Sequence, residues 1–347
     1  MKRQEEYIMA INHAMRLVLK ALSFDGIEVE SERHMADLKR LDPMKIFYKT
    51  ADVHVYNDGY EVPVRLFFPD EETKTAYEKD NLKFPKLLLL FHGGGWVTNC
   101  VDNYERICAR LSISTGNIVA AVEYRLAPEH KFPNGLLDCY AAAEALFKRH
   151  KEIGLNPDDI TLIGDSAGGN LAAAVSLMAR DRGDFLPKRQ ILIYPAVYND
   201  YSENSPFQSV QENGSDYLLT AGKMQDYIAL YAETEADLRS PYFAPFLAED
   251  LSNQPDTLIL TAEFDPLRDE GEAYGKRLLE AGNRVEVHRI KDALHGYFSL
   301  GIKYFHVQES FDHINAFLGG NHVEAKTGAL EKTRQRSKVI FGGKHKE

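Results

Sequence analysis

The stretch Ile160–Ala174 reads ITLIGDSAGGNLAAA and carries the most specific local signal in the chain. Its first residues, Ile160–Ile163, predict a short, mostly apolar strand. The turn that follows has the pattern Gly-x-Ser-x-Gly with Ser166 at its centre. This pattern is typical of a strained strand-to-helix turn that exposes a serine hydroxyl at the top of a sheet. The pattern also fits a plain tight turn, so the surrounding sequence has to decide between the two.

Predicted strands and helices alternate on both sides of this turn. An Asn57-Asp58-Gly59 turn predicts an antiparallel hairpin before the alternation begins. The later strands are predicted at Lys86–Phe91, Ile118–Glu123, Arg189–Pro195, Asp256–Ala262 and Arg284–Ile290. Alternation of this kind favours right-handed crossovers. The sequence therefore predicts an α/β fold with a mostly parallel central sheet and helices on both faces.

Three segments lie outside the alternation. Residues 1–44 are predicted to be helical and to precede the main domain at 45–319, as a plain packing extension or as part of a lid over a pocket. Residues 198–255 interrupt that domain, and an interruption of this length is usually functional. Residues 320–347 contain few apolar side chains and are expected to form a flexible tail. A polar stretch at Asp70–Phe84 is predicted to be a surface loop.

Composition excludes several classes of protein. The chain of 347 residues has a formal net charge of −11, which argues against a nucleic-acid-binding protein. No apolar run is long enough for a membrane span, and the amino-terminal residues lack the apolar core of a signal peptide. The three cysteines, Cys100, Cys108 and Cys139, have no metal-ligand spacing. We therefore expect reduced, buried thiols and a cytoplasmic protein with no metal site.

A serine nucleophile needs a base, an acid that orients the base, and donors for the oxyanion. The sequence supplies an acid in Asp265, just after the strand Asp256–Ala262, where Pro266 favours a loop. The base is His295, which lies beside Gly296 in the loop after the strand Arg284–Ile290.

Other side chains compete for both roles. Glu263 could serve as the acid, whereas Asp269 falls at the start of the next helix, where a carboxylate stabilises the helix terminus. Three other histidines, His288, His306 and His313, fall within a strand or at the last helix. Asp265 and His295 are thus the predicted acid and base.

The oxyanion donors are expected from the residue after the serine and from the loop after Phe91. This gives the backbone N–H groups of Ala167, Gly93 and Gly94. A glycine-rich loop can also bind phosphate, but neither of the phosphate-binding patterns is present. We expect His92 and Trp96 to hold the shape of this loop. Four aromatic residues that could line a pocket or belong to the core are Trp96, Tyr194, Tyr217 and Phe243.

Taken in order, these motifs resemble the hormone-sensitive-lipase-like family of α/β-hydrolase-fold esterases. The matching segments are HGGGW at 92–96, YRLAPEHKFP at 124–133, GDSAGG at 164–169, DPLRDEG at 265–271 and LHGYF at 294–298. The resemblance implies Ser166 as nucleophile, Asp265 as acid and His295 as base, with Gly93, Gly94 and Ala167 as oxyanion hole. It also implies a helical cap, built from residues 1–44 and 198–255, over the catalytic domain.

The resulting hypothesis is a serine carboxylesterase that hydrolyses small or short-acyl esters through an acyl-enzyme, without metal or cofactor. A homodimer is suggested by the resemblance alone. Two alternatives stay open. One is an amidase or deacetylase that uses the same triad, and the other is a non-catalytic small-molecule-binding protein on the same fold.

Overall fold

The structure is a computed structural model that describes residues 16, 19–21, 23, 25–37, 43–79, 86–299 and 305–319. Eight strands of this described chain form one sheet in the order β1-β2-β4-β3-β5-β6-β7-β8. The strands are β1 (Thr50–Asn57), β2 (Tyr60–Phe67), β3 (Leu87–Phe91), β4 (Ile118–Val122), β5 (Ile160–Asp165), β6 (Arg189–Ile193), β7 (Asp256–Phe264) and β8 (Val285–Leu294).

The sheet is parallel except at one end. β1 pairs antiparallel with β2, and β2 pairs antiparallel with β4. Every pairing from β4 through β8 is parallel. The predicted mostly parallel α/β sheet is confirmed, and it places the carboxyl ends of β3, β5, β7 and β8 at the same edge.

The described helices lie before, between and after the strands. They are α1 (Val29–Asp37), α2 (Glu71–Glu78), α3 (Val101–Thr115), α4 (Asn134–Lys148), α5 (Ala167–Arg182), α6 (Gln208–Asn213), α7 (Ala221–Tyr231), α8 (Arg268–Glu280) and α9 (Phe305–Leu318). None of these described helices combines the length and the hydrophobicity that a bilayer crossing requires.

Two hydrophobic cores cover the two faces of the sheet. Side chains alternate across a strand, so Leu87, Leu89 and Phe91 of β3 join one core and Leu88 and Leu90 join the other. The first core contains α4, α5 and α8, and the second contains α3 and α9. All five side chains of β3 are buried, and the sequence of this strand is accordingly a continuous apolar run.

The polar stretch at Asp70–Phe84 was predicted to be a loop, and this prediction is wrong for its first part. Glu71–Glu78 forms α2, and the carboxylate of Asp70 caps it by accepting a hydrogen bond from the Thr73 N–H at 2.7 Å. No residue of α2 is buried, so the sequence has no apolar period to reveal it. Residues 80–85 lie outside the described residues, as do the predicted tail at 320–347 and residues 1–15.

The described part of the amino-terminal segment contacts the interruption at 198–255. Asp25 accepts a hydrogen bond from the Thr220 hydroxyl at 2.6 Å, and Ser23 accepts one from the Leu218 N–H at 2.8 Å. The Nζ atom of Lys223, in α7, lies 2.9 Å from the carboxylate of Glu32, in α1. These two segments, distant in sequence, therefore pack against each other.

Candidate active site

The turn at Ser166 has a backbone conformation that side chains rarely adopt. Its φ is 56° and its ψ is −120°, which is a strained combination for a residue with a Cβ. The Ser166 N–H donates to the carbonyl of Ile193 at 2.9 Å, and its carbonyl accepts from the N–H of Asn170 at 3.0 Å. These bonds hold the turn between the end of β5 and the start of α5, with the side chain at the carboxyl edge of the sheet.

The glycines of the turn allow β5 and α5 to approach closely. A Cβ built on Gly168 would lie 1.9 Å from the carbonyl oxygen of Phe91, at the end of β3. A Cβ on Gly164 would lie 2.2 Å from the carbonyl oxygen of Gly168. Any larger residue at either position would collide with backbone. The two glycines of the Gly-x-Ser-x-Gly pattern are thus required by this packing.

Three side chains from different strand ends form a continuous hydrogen-bonded chain. The Nδ1 atom of His295 lies 2.7 Å from Oδ2 of Asp265, and Nε2 lies 2.9 Å from Oγ of Ser166. Asp265 is fully buried and His295 is 12% exposed at the side chain. An ionised carboxylate only accepts hydrogen bonds, so Nδ1 carries the proton and Nε2 is left to accept the serine proton. Nε2 of His295 therefore faces the hydroxyl of Ser166 as a hydrogen-bond acceptor.

The competing residues make other contacts. Glu263 accepts a hydrogen bond from the Asp292 N–H at 2.8 Å, and Asp269 accepts one from the Ser209 N–H at 2.8 Å. His288 and His313 stack on each other with ring centroids 4.0 Å apart, and His306 lies in α9. The second oxygen of Asp265 accepts from the Leu267 N–H at 2.9 Å, which fixes the carboxylate.

The hydrogen bonds in the loop after β3 contradict the prediction that the Gly93 N–H is an oxyanion donor. The N–H of Gly93 donates to Oδ1 of Asp165 and to the hydroxyl of Tyr104, both at 3.0 Å. It is buried and occupied, so it does not serve an oxyanion. Within the described residues, no acceptor contacts the N–H groups of Gly94 and Gly95, and Ala167 begins α5, where N–H groups lack helical partners. The sequence did not single out the Gly95 N–H as a candidate donor, because three successive glycines look alike in the sequence.

Asp165 connects this loop to the serine turn and to the histidine. Besides the Gly93 N–H, its carboxylate accepts the hydroxyls of Tyr104 at 2.9 Å and Tyr194 at 3.1 Å. Burial raises the pKa of Asp165 above its usual value, while the bonds from both tyrosines and Gly93 oppose that shift. The Tyr194 ring lies 4.8 Å from the His295 ring. These contacts of Asp165 were not predicted from the sequence, in which the only indication is that Asp165 directly precedes Ser166.

The four predicted pocket aromatics fall at three places. Trp96 stacks on Tyr231 with ring centroids 4.7 Å apart, and Phe243 lies 5.1 Å from the same Tyr231 ring. Tyr194 lies against His295, as described above. Tyr217 stacks on Phe264 at 4.9 Å. Only Trp96 and Phe243 therefore share one cluster, in which Trp96 directly follows the three glycines of the loop.

No group of three or more His, Cys, Asp or Glu side chains in the described part of the chain is arranged to hold a metal ion.

An α/β sheet with a serine on a strained strand-to-helix turn, a histidine and a buried carboxylate defines a class of hydrolases, and comparison with known proteins agrees. The model of the α/β hydrolase fold family matches residues 88–299. An arylesterase from Saccharolobus solfataricus is 37% identical over 250 residues, covering 72% of this chain and 77% of its own. An ethyl acetate hydrolase from Pseudomonas putida is 36% identical over 245 residues, covering 70% and 74%. A solved structure of a hyperthermophilic esterase from Pyrobaculum calidifontis has a TM-score of 0.77 and 33% identity, covering 89% of this chain and 98% of its own.

The chain belongs to the α/β-hydrolase fold family. The predicted resemblance to its hormone-sensitive-lipase-like esterases and the predicted class of carboxylic ester hydrolase are both confirmed.

Proposed function

We propose that this carboxylesterase uses Ser166 as nucleophile, His295 as general base and acid, and Asp265 as the group that orients and stabilises the histidine. The observation that carries the proposal is the unbroken chain from Asp265 through His295 to Ser166, at 2.7 and 2.9 Å. These distances lie within the reach that proton transfer requires.

In the first half of the reaction, Oγ of Ser166 attacks the ester carbonyl carbon while Nε2 of His295 takes the hydroxyl proton. The carbonyl oxygen becomes an oxyanion, which we assign to the N–H groups of Gly94, Gly95 and Ala167. Collapse of this intermediate breaks the bond to the alcohol oxygen, and His295 returns the proton to that oxygen. The product is an acyl-enzyme and a free alcohol.

In the second half, water replaces the alcohol. His295 removes a proton from the water as it attacks the acyl carbon, and then returns that proton to Oγ of Ser166. The carboxylic acid leaves and the enzyme is regenerated. Each step balances with the side chains already in place, so the scheme requires no cofactor.

We further propose that the substrates are small or short-acyl esters. The cluster of Trp96, Tyr231 and Phe243, whose Trp96 directly follows the glycine loop, is buried and closely packed with aromatic rings. One relative is named an ethyl acetate hydrolase, and ethyl acetate is an ester with a two-carbon acyl group. Both observations support a preference for short acyl chains.

A cytoplasmic location is supported by the cysteines. Cys100, Cys108 and Cys139 form no disulfide bond within the described residues, and Cys108 and Cys139 are buried. Burial raises the pKa of both of these thiols and keeps them unreactive. Cysteines that remain outside disulfide bonds are usual in a reducing compartment. The homodimer stays a prediction, for which sedimentation of the purified protein is the direct test.

Hydrolysis of p-nitrophenyl esters from acetate to palmitate, by wild type and the Ser166→Ala variant, tests the proposal. We expect turnover to be highest for short chains and to fall at least about 10⁴-fold in the variant, because removal of a triad member leaves only binding and the oxyanion hole. Near-normal turnover by Ser166→Ala would refute the assignment. Hydrolysis of p-nitroanilides faster than the matching esters would instead indicate an amidase.

A further inference from the structure

The oxyanion loop, residues 93–99, has a costly local conformation. The backbone φ is 128° at Gly94 and 60° at Gly95, and it is 61° at Trp96 and 68° at Asn99, which carry a Cβ. Such φ values are unfavourable for ordinary side chains and persist only when surrounding structure imposes them. The position of this loop must therefore be fixed by contacts from other elements.

One of these contacts comes from Arg33 in the amino-terminal helix α1. Its Nε donates to the carbonyl of Val97 at 3.0 Å, and its Nη2 donates to the carbonyl of Ala127 at 3.0 Å. The N–H of Ala127 in turn donates to the carbonyl of Trp96 at 2.9 Å. One guanidinium thus bridges the oxyanion loop and the neighbouring loop that supports it.

The remaining donors of Arg33 bind Glu129. Nη1 and Nη2 lie 2.7 and 2.8 Å from the two carboxylate oxygens, in the bidentate geometry that only arginine provides. The hydrogen bonds from Arg33 lower the pKa of Glu129 to about 2. The guanidinium is therefore oriented by a carboxylate on one side while it binds two backbone carbonyls on the other.

The helix that carries Arg33 is itself anchored. The neighbouring Glu32 pairs with Lys223 of α7 at 2.9 Å, and the carbonyl of Ala36 accepts a hydrogen bond from Nδ2 of Asn103 at 2.7 Å. From α7, the ring of Tyr227 covers Gly95 so closely that a Cβ there would lie 2.4 Å from it. α1 and α7 therefore contact the oxyanion loop together, each through one side chain.

We propose that Arg33 is a positioning residue for ester hydrolysis, which holds the N–H groups of the oxyanion loop in place from outside the catalytic domain. The inference rests on the proposed function, because it assigns those N–H groups to the oxyanion. Arg33 touches no reacting atom in this scheme. Its effect falls on the transition state, where charge develops on the carbonyl oxygen, and much less on binding of the neutral ester.

The test replaces Arg33 by Met, which keeps the length of the side chain and removes all donors. The concentration of working sites is measured by titration with a p-nitrophenyl organophosphate, so that misfolded protein does not count. We expect kcat per titrated site for p-nitrophenyl butyrate to fall about tenfold, which is less than the loss of a whole oxyanion donor, with KM within about twofold. The affinity for a trifluoromethyl ketone, whose adduct carries an oxyanion, falls by the same factor.

Arg16→Met is the matched control. Arg16 also ties the amino-terminal segment to the 198–255 interruption, by an ion pair with Asp216 at 2.9 Å, but its described contacts do not include the oxyanion loop. We expect its kcat and ketone affinity to stay within about twofold of wild type. Arg33→Lys, which has one ammonium group in place of the planar fork, is expected to lie between wild type and Arg33→Met, and it carries the test if Arg33→Met does not fold.

The outcomes separate the two proposals. An inactive wild type would refute the proposed function, and this inference with it. An active wild type with kcat unchanged in both Arg33 variants would overturn the inference alone. An equal fall of kcat in Arg16→Met, or a rise of KM without a fall of kcat, would also overturn it, because Arg33 would then only stabilise the segment or bind substrate.

Discussion

Asp265 is distinguished by what its two carboxylate oxygens contact. One oxygen faces Nδ1 of His295 and the other accepts the Leu267 N–H. An Asp265→Asn side chain has the same shape but lacks the charge that stabilises the protonated histidine, and its amide favours the wrong tautomer. We expect kcat for p-nitrophenyl butyrate to fall by about 10⁴, with KM little changed. A steady-state rate series on the two proteins measures both constants.

Asp269→Asn provides the control for this substitution. Asp269 lies four residues away and bonds to the Ser209 N–H and to Arg268. The same chemical change there removes a structural hydrogen bond without touching His295, so we expect kcat to fall less than about tenfold. If the two variants lost activity equally, the assignment of Asp265 as the acid would be wrong.

The strand ends could be found from the sequence, but the direction of a single amide could not. Ser166, Asp265 and His295 each follow a predicted strand, and parallel strands bring such ends to one edge. By contrast, the Gly93 N–H is directed away from the oxyanion by Asp165 and Tyr104. Asp165 is 72 residues away along the chain. Nothing in the run of three glycines encodes that contact, so the prediction of Gly93 failed there.

At the scale of elements, the crossing of α5 over the end of β3 depends on Gly168. In a Gly168→Ala variant, the new Cβ would lie 1.9 Å from the Phe91 carbonyl oxygen. Relief of this contact would require the backbone of α5 or of β3 to shift, which is destabilising. We expect the free energy of unfolding to fall by more than about 3 kcal/mol. Urea unfolding followed by circular dichroism measures this loss.

Gly116→Ala is the control that distinguishes the collision with Phe91 from the general effect of replacing a glycine by alanine. Gly116 ends α3 with a φ of 68°, and a Cβ there would meet nothing within 4 Å. We expect Gly116→Ala to lower the free energy of unfolding by only about 1–2 kcal/mol, which is the cost of a left-handed backbone at a residue with a Cβ. Losses that are equal in the two variants would show that the close approach of α5 and β3 is not what requires Gly168.

Long elements follow from periodicity, and short ones do not. The strands from β3 onward lie within a few residues of their predicted positions, because burial on one or both faces leaves an apolar pattern. α2 and α6 are eight and six residues long and were missed. β8 continues to Leu294, past the predicted end at Ile290, through an irregular pairing with β7 near Ala262. That extension brings His295 directly to the end of a strand.

At the scale of the whole molecule, a buried carboxyl group links parts of the chain that the sequence does not relate. Glu270 lies in α8, five residues after Asp265, yet its Oε1 accepts hydrogen bonds from Val197 and Tyr198 N–H groups and from the Tyr201 hydroxyl, at 2.7, 3.1 and 2.9 Å. It thereby joins the helix after β7 to the segment after β6. The side chain is fully buried, and no described residue bonds to its Oε2.

This burial makes the stability of the protein depend on pH. It raises the pKa of Glu270 to about 8, against the opposing hydrogen bonds from Tyr201, Val197 and Tyr198. Between its ordinary value of 4.5 and about 8, the folded state therefore holds a proton that the unfolded state releases. The contribution is fully present below pH 4.5 and is lost progressively as the pH rises to about 8.

Glu270→Gln has nearly the same shape and is neutral at every pH, so it should escape this loss. We expect the free energy of unfolding of the variant, relative to wild type, to rise by up to about 1.4 kcal/mol for each pH unit in this window. Urea unfolding of both proteins at four pH values between 5 and 8 measures the difference. The substitution leaves the other titrating groups in place, so their contributions cancel between the two curves. Curves that run parallel would mean that Glu270 is already ionised in the folded protein, held by its three donors, and that its burial costs the same at every pH in this range.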